Sequence, residues 1–238
     1  MYRENFSIQN DVVNLPVLFT KISGVLGSRG DYVNYIATLV NAPDTLFISK
    51  TPYLPVRITT ESKSILKKLG KEFMDFINPN PFIKEGKLQF DNIKSSRSYR
   101  YKFLRNDMQD YLLRKIQELL DRDIIKGSAQ DADKILDILL GLNTDLLKTI
   151  QKFDFTQNNP KIVYLQFTGI PTSYEDSVFL AFISLVGFDV VIFCPSGYQG
   201  PEAYYQDNIL QIHEIGDYDY DMKIPKGIYW GFKKFVAK

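Results

Sequence analysis

Apolar and polar positions follow their clearest pattern between residues 153 and 198, where they predict a strand, a helix and a second strand. Lys161–Phe167 is nearly continuous in apolar residues, as in a strand buried on both faces of a parallel sheet. Ser173–Val186 predicts a buried helix, and Phe188–Phe193 predicts a second buried strand. A helix of about 14 residues is right for a parallel crossover, so the pattern indicates a Rossmann-like sheet.

The amino-terminal part of the chain predicts shorter elements. Leu18–Val25 has the composition of a strand, and a helix of about ten residues follows from Asp31. Leu46–Ser49 is a short strand candidate, and Glu61–Ile77 has apolar residues at roughly helical spacing.

The middle of the chain predicts helices. Asn106–Arg122 carries its apolar residues on one side, which is typical of an amphipathic helix. Asp131–Leu140 is another, and we place Gly141 in the left-handed conformation that closes many helices. Asn143 is a polar residue of the kind that caps a helix amino terminus, so it predicts a third.

These elements predict an α/β protein with a Rossmann-like parallel sheet in its carboxyl-terminal half. A smaller α/β or α+β amino-terminal part and a helical middle would complete it. We divide the chain into residues 1–105, a helical connector 106–152, an α/β part 153–222 and a basic aromatic tail 223–238. Within the third part, Gly200-Pro201 predicts a short helix and Asn208–Ile215 a third strand.

Composition excludes some functions without naming one. The chain has 29 basic and 28 acidic residues, so no global field steers nucleic acid or anionic membranes toward it. Its single cysteine, Cys194, excludes an internal disulfide, and Met1–Asp11 does not have the pattern of a leader. We therefore expect a cytoplasmic protein, and no apolar run approaches the ~20 residues of a membrane helix.

The predicted ligand-binding residues are Ser196, Gly197, Tyr198 and Gly200, which follow the second buried strand. Backbone N–H groups and a helix amino terminus at such a place attract phosphate or carboxylate. The two glycines allow close approach, and Tyr198 can stack on a ring. The segment is neither a Walker A motif nor GxGxxG, and an ordinary strand-to-helix loop is the competing interpretation.

Other candidate chemistry is weaker. Cys194 and His213 would form a nucleophile and base only if adjacent strands carried them, so we interpret Cys194 as structural. One cysteine and one histidine do not build a zinc site. Asp217, Asp219 and Asp221 alternate with tyrosines and could share a face toward a hard cation, but a solvated acidic surface is favoured and no metal is predicted.

Two basic aromatic segments allow other partners. Lys94–Arg105 suits single-stranded nucleic acid, a phosphorylated metabolite or an acidic partner, although we favour a solvated loop. Lys223–Lys238 resembles a membrane-surface segment, although we favour a terminal segment docked on the body by Trp230.

The carboxyl-terminal third also carries a family resemblance. FDFT, PKIV, SYEDSVFLAF and GFDVVIFCPSGY are together similar to the carboxyl-terminal half of the YceG-like family. LPVLFTKISGV and the helix pair between Asp107 and Phe153 extend the resemblance to about residues 15–225. One departure is visible where members have an acidic helix start resembling NxIE, because only Glu202 of Gln199–Glu202 matches it.

The resemblance implies a setting rather than a reaction. Members are described as components of a biosynthetic module beside tellurium-resistance-type (Ter) stress proteins in bacterial gene clusters. This implies a response to tellurite, envelope insult or phage, with Ter-cluster proteins as possible partners. Members are about twice this length, so the resemblance also implies a short member or part of a longer protein.

Three functions remain open from the sequence. The chain binds or processes a nucleotide-like or sugar-like metabolite carrying a phosphate or acidic group, or it is a non-catalytic scaffold for other Ter-cluster proteins. A glycosyltransferase-like half-domain is the third. The sequence shows no convincing acid/base pair, so no catalytic residue or cofactor is predicted and enzymatic activity stays open. A deep cleft above Cys194–Gly200 would favour the first function.

Overall fold

The structure, a computed structural model, describes residues 6–9, 12–55, 81–157, 159–167 and 169–223. Its strands are β1 (Ser7–Gln9), β2 (Val12–Asn14), β3 (Phe19–Ser23), β4 (Thr45–Ile48), β5 (Ile83–Lys84), β6 (Lys87–Leu88), β7 (Lys161–Leu165), β8 (Asp189–Cys194) and β9 (Gln211–Glu214). Its helices are α1 (Arg29–Asn41), α2 (Phe90–Ser95), α3 (Asn106–Asp121), α4 (Ala132–Leu140), α5 (Thr144–Ile150) and α6 (Tyr174–Val186). Single 3-10 turns lie at Arg100–Phe103 and Pro201–Tyr204.

A five-stranded parallel sheet in the order β4-β7-β8-β3-β9 forms the centre of the fold. The predicted parallel pairing of β7 with β8 is confirmed, with Leu165 opposite Phe193. The mixed α/β class is confirmed as well. The sheet draws its strands from both ends of the chain, because β3 and β4 from the amino-terminal part pair with β8 and β7.

Helix α6 forms as its sequence predicts. The Ser173 side chain accepts a hydrogen bond from the Asp176 N–H, and Gly187 ends the helix in the left-handed region at φ 115°. Phe179, Phe182 and Ile183 have no exposed surface. Their burial against the sheet, rather than helix propensity, is the main source of stability for this helix.

The cap predicted at Gly141 is wrong. Its φ is −84°, so α4 ends without a left-handed residue, and the Gly141 N–H donates to the Asp137 and Ile138 carbonyls. The cap predicted at Asn143 is confirmed, since its side chain accepts from the Asp145 N–H. Asn143 then caps α5, which begins at Thr144.

The central helices pack on α6 and not on one another alone. Both α3 and α4 contact α6, and their apolar faces share one core with the sheet. Tyr101 is fully buried in this layer and donates a hydrogen bond to the Leu139 carbonyl at 2.6 Å. The predicted helix at residues 61–77 and the tail from residue 224 onward lie outside the described residues.

The connections after β3 and β8 leave the sheet on opposite faces. α1, which follows β3, packs on Phe47, Val163 and Phe193. The 3-10 turn after β8 packs instead on α6, which covers the other face. Adjacent parallel strands whose connections diverge form a topological switch point, where open α/β sheets bind ligands outside their carboxyl ends. Among the described residues, no helix is long and apolar enough to cross a bilayer.

The buried face of α6 generates a stability prediction. Phe182→Ala removes a fully buried ring, so we expect the free energy of unfolding to fall by about 3–5 kcal/mol in urea titrations. Ile170→Ala, at a side chain that is 55% exposed, serves as the control and should change it by less than about 0.5 kcal/mol. Equal effects of the two substitutions would contradict the packing described here.

Candidate functional site

The predicted loop lies at the carboxyl edge of the sheet, directly after β8. Ser196 is buried, whereas Tyr198 is 47% exposed. The helix that follows is only one 3-10 turn, and its leading amide, the Gly200 N–H, already donates to Glu202 Oε1 at 2.9 Å. Anion binding at this loop would therefore depend on side chains and single amides rather than on a helix dipole.

Gly197 is required by the protein's own packing. Its φ is 67°, in the region that favours glycine, and a Cβ there would lie 2.4 Å from the Tyr218 ring. Tyr218 belongs to the segment that follows β9 and covers this part of the loop. A substitution at Gly197 therefore reports on folding as well as on any ligand.

Lys21 lies under the loop and is the feature that the sequence patterns did not single out. It sits in the middle of β3, opposite Ile192, and is only 2% exposed. Its ammonium donates to the Tyr198 carbonyl at 2.7 Å and forms an ion pair with Glu202 Oε1 at 2.5 Å. The available signal was a lysine inside a strand of a buried parallel sheet, since lysine is almost never fully buried without a partner.

Gln166 and Glu202 complete this polar cluster. Gln166 is 1% exposed and its Nε2 donates to the Gln199 carbonyl at 2.9 Å. Gln166 Oε1 and Glu202 Oε2 are buried and have no hydrogen-bond partner in the described part of the chain. A Cβ on Gly200 would lie 2.6 Å from the first oxygen and 2.9 Å from the second, so both face the Gly200 Cα.

Three tyrosines surround the mouth of the loop and form what we call the tyrosine rim: Tyr198, Tyr218 and Tyr220. Each is roughly half exposed. The Tyr220 ring centroid lies 5.7 Å from that of Tyr198 and 6.5 Å from that of Tyr218. Partly exposed rings held against one another offer a stacking surface at low entropic cost.

Asp217, Asp219 and Asp221 are interleaved with the tyrosine rim. Asp219 is held by the Arg29 guanidinium, with Nη2 at 2.7 Å from Oδ1, and these hydrogen bonds keep the pKa of its carboxyl below the usual value. No group of three or more potential metal ligands occurs among the residues the structure describes. Asp217 and Asp221 remain at the surface.

Cys194 and His213 do not meet. β3 lies between the two strands that carry them, with Ser23 opposite Cys194 and Ile22 opposite His213. Cys194 is fully buried and its Sγ donates to the Tyr198 carbonyl at 3.4 Å. The geometry removes the nucleophile–base hypothesis and agrees with a structural cysteine.

Asp176 organises another part of the same edge. Its buried carboxylate accepts hydrogen bonds from the Tyr53 and Leu54 amides, both at 2.8 Å, and from the Tyr164 hydroxyl at 2.9 Å. Burial raises the pKa of this carboxyl, while the three hydrogen bonds act in the opposite direction. Asp176 thus ties the chain after β4 to the sheet.

Two cavities lie away from the loop. One of about 1060 Å³ opens at the amino edge of the sheet, between the starts of β3 and β9 and α3, and is lined by Phe19, Tyr111 and Phe155. A second of about 410 Å³ lies beside Lys87 and Gln117. Neither is the deep cleft above Cys194–Gly200 that would have favoured metabolite binding outright.

The basic segment Lys94–Arg105 buries two of its three rings. Tyr99 and Tyr101 are buried in the core, and Lys94 is paired with Asp110. Phe103, at 41% exposure, lies beneath the Lys148 ammonium at 5.9 Å from its ring centroid. The segment is a packed connection whose charges remain on its surface.

Comparisons with known proteins agree with the resemblance in the sequence. A family model described as the YceG domain matches residues 1–226. The chain is 27% identical over 245 residues to the "Uncharacterized protein YceG" of Bacillus subtilis (strain 168). That alignment covers 99% of this chain but 43% of the relative, so the chain spans less than half the length of that protein. No solved structure matches.

The burial of Cys194 predicts that its thiol is alkylated slowly in the folded protein. Because Sγ has no exposed surface and no base beside it, iodoacetamide near neutral pH should modify the native protein far more slowly than the urea-unfolded protein. The rates can be compared by intact-mass spectrometry on one preparation. Rapid labelling of the folded protein would show that the thiol is accessible and activated.

Proposed function

The chain belongs to the YceG domain family, and from the geometry of its carboxyl edge we propose that it binds a ring-bearing metabolite through a phosphate or carboxylate group. The observation that carries this proposal is the buried Lys21 ammonium, which reaches the switch-point loop from the centre of the sheet. The binding residues are Lys21 and the loop that contains Ser196, Gly197, Tyr198 and Gly200.

A buried ammonium is stabilised by a nearby anion. Removing the charge of Lys21 from water costs free energy that only close acceptors offset, and an apolar residue in the same strand would avoid that cost. Two acceptors are present, the Tyr198 carbonyl and Glu202. An ammonium has three donors, so one remains for an oxygen of a ligand.

Tyr198 supplies the contact for the ring of the ligand. It is the member of the tyrosine rim whose backbone carbonyl is held by Lys21, so the backbone that carries this ring is anchored beside the cation. A nucleotide-like or sugar-like ring can stack there while its anionic group reaches the loop. The exposed carboxylates of Asp217 and Asp221 disfavour a polyphosphate and favour a ligand with one anionic group.

The family setting extends this proposal beyond the structure. We propose a cytoplasmic role in a stress response of the tellurite, envelope or phage type, with Ter-cluster proteins as partners; this rests on the family resemblance alone. A non-catalytic scaffold is the second candidate, and one observation favours it. Among the described residues β9 is an edge strand with all four residues exposed, an arrangement that can accept a strand of another protein.

Tyr198→Ala tests the metabolite proposal. Loss of a stacking ring should weaken uridine monophosphate about tenfold or more in isothermal titration calorimetry, while inorganic phosphate binds unchanged. Tyr35→Ala, at a tyrosine that is 56% exposed on α1, is the matched control and should alter neither.

Mass spectrometry of small molecules carried by the natively purified protein gives an independent readout. A retained metabolite with a ring and one anionic group would support the proposal. The absence of any retained molecule, together with no binding of uridine monophosphate, glucose 1-phosphate or inorganic phosphate, would leave the scaffold function ahead. Cleavage of an added nucleotide sugar would instead indicate the glycosyltransferase-like alternative.

A further inference from the structure

We infer that the Glu202 carboxylate occupies the place of a singly protonated phosphate group, and that a phosphate-bearing ligand binds by displacing it. The inference rests on the proposed function, because it concerns the same loop and the same lysine. It narrows the anionic group to phosphate and adds a built-in competitor for the site.

The first observation is that two hydrogen-bond donors converge on one oxygen of Glu202. Glu202 Oε1 alone takes both the Lys21 ammonium, at 2.5 Å, and the Gly200 N–H, at 2.9 Å. A cation and a backbone amide that converge on one oxygen form the donor pair that an oxyanion of a ligand would use. In the structure described here, that pair is filled by the chain itself.

The second observation concerns the other oxygen of the same carboxylate, which has no hydrogen-bond partner. Glu202 Oε2 is buried without a partner, and so is Oε1 of Gln166, a side chain that is 1% exposed. Both lie within 3 Å of one point beside the Gly200 Cα. Lys21 Nζ is 3.4 Å from the same point but donates to neither oxygen. Two buried acceptors that receive no hydrogen bond raise the free energy of the closed arrangement.

This mismatch identifies the chemistry of the ligand. Gln166 uses its Nε2 to hold the Gln199 carbonyl, so its Oε1 is fixed as an acceptor toward the Glu202 position. A ligand oxygen placed where Oε2 now lies must therefore carry a hydrogen. A phosphate monoester has a P–OH below its second pKa of about 6, whereas a bound carboxylate or a sulfate has no hydrogen to donate.

Glu202 is also the partner that is free to leave. It lies on a turn of four residues, its side chain is 21% exposed, and the flanking backbone hydrogen bonds from Ala203 and Tyr205 are both long, at 3.3 Å. Lys21 is fixed by pairing of β3 on both sides. Displacement therefore moves Glu202 outward and leaves Lys21 and the Gly200 amide in place for the ligand.

Calorimetric titration of inorganic phosphate and sulfate at pH 6 tests the inference. Glu202→Gln keeps the size of the side chain but removes the competing charge, so phosphate should bind about tenfold or more tightly than to the unmodified protein. Glu214→Gln removes one negative charge from an exposed residue on β9 and is the control, with affinity expected to stay within about twofold. Sulfate should bind at least about tenfold more weakly than phosphate to the unmodified protein.

The outcomes separate the inference from the proposed function. No gain of phosphate affinity in Glu202→Gln, or sulfate binding equal to phosphate, overturns the inference. Lys21→Met should abolish phosphate binding with or without the Glu202 substitution; if binding persists unchanged, the proposed site itself is wrong. If Glu202→Gln fails to fold by circular dichroism, Glu202→Asp withdraws the carboxylate by one methylene, and the same gain is expected.

Discussion

The pairing of β3 with β8 on one side and β9 on the other is the interaction on which the rest of the structure depends. It inserts an amino-terminal strand between two strands that come from residues beyond 160. β3 continues into α1 on one face of the sheet, and β8 continues into a 3-10 turn that packs on α6 on the other face, so this one pairing creates the switch point. It also places Lys21 beneath the loop that follows β8.

The burial of Lys21 links this pairing to function. A buried ion pair is weak evidence for stability, since apolar residues of similar volume often stabilise a protein as well or better. The Lys21–Glu202 pair is therefore better explained by the loop groups that it positions than by a contribution to folding stability. It fixes the Tyr198 carbonyl and the Gly200 turn, and it keeps a positive charge at the edge where a ligand would approach.

The opposite edge of the sheet has a cavity of about 1060 Å³, but its chemistry gives less support for a ligand site. That cavity has more cationic than anionic residues in its wall, but Lys115 and Arg122 are both paired with Glu118, and Arg105 is paired with Asp107. Its aromatic residues belong to the core that joins α3 to the sheet. Cavity volume alone is therefore a poorer indicator of the ligand site than the buried charge and the unpartnered acceptors at the switch point.

The sequence by itself determined the elements whose causes are local. The Ser173 cap, the apolar helix and Gly187 lie within one short segment, and the two buried strands on either side could be predicted from composition. It also predicted ligand binding at the loop after β8, which stays a prediction. The tertiary structure alone decided that β3 separates Cys194 from His213, that Gly141 ends α4 without a left-handed turn, and that Lys21, Gln166 and Glu202 meet. Capping and periodicity act over a few residues, whereas strand order and the partners of a buried charge depend on pairings between positions more than 100 residues apart, which no local pattern specifies.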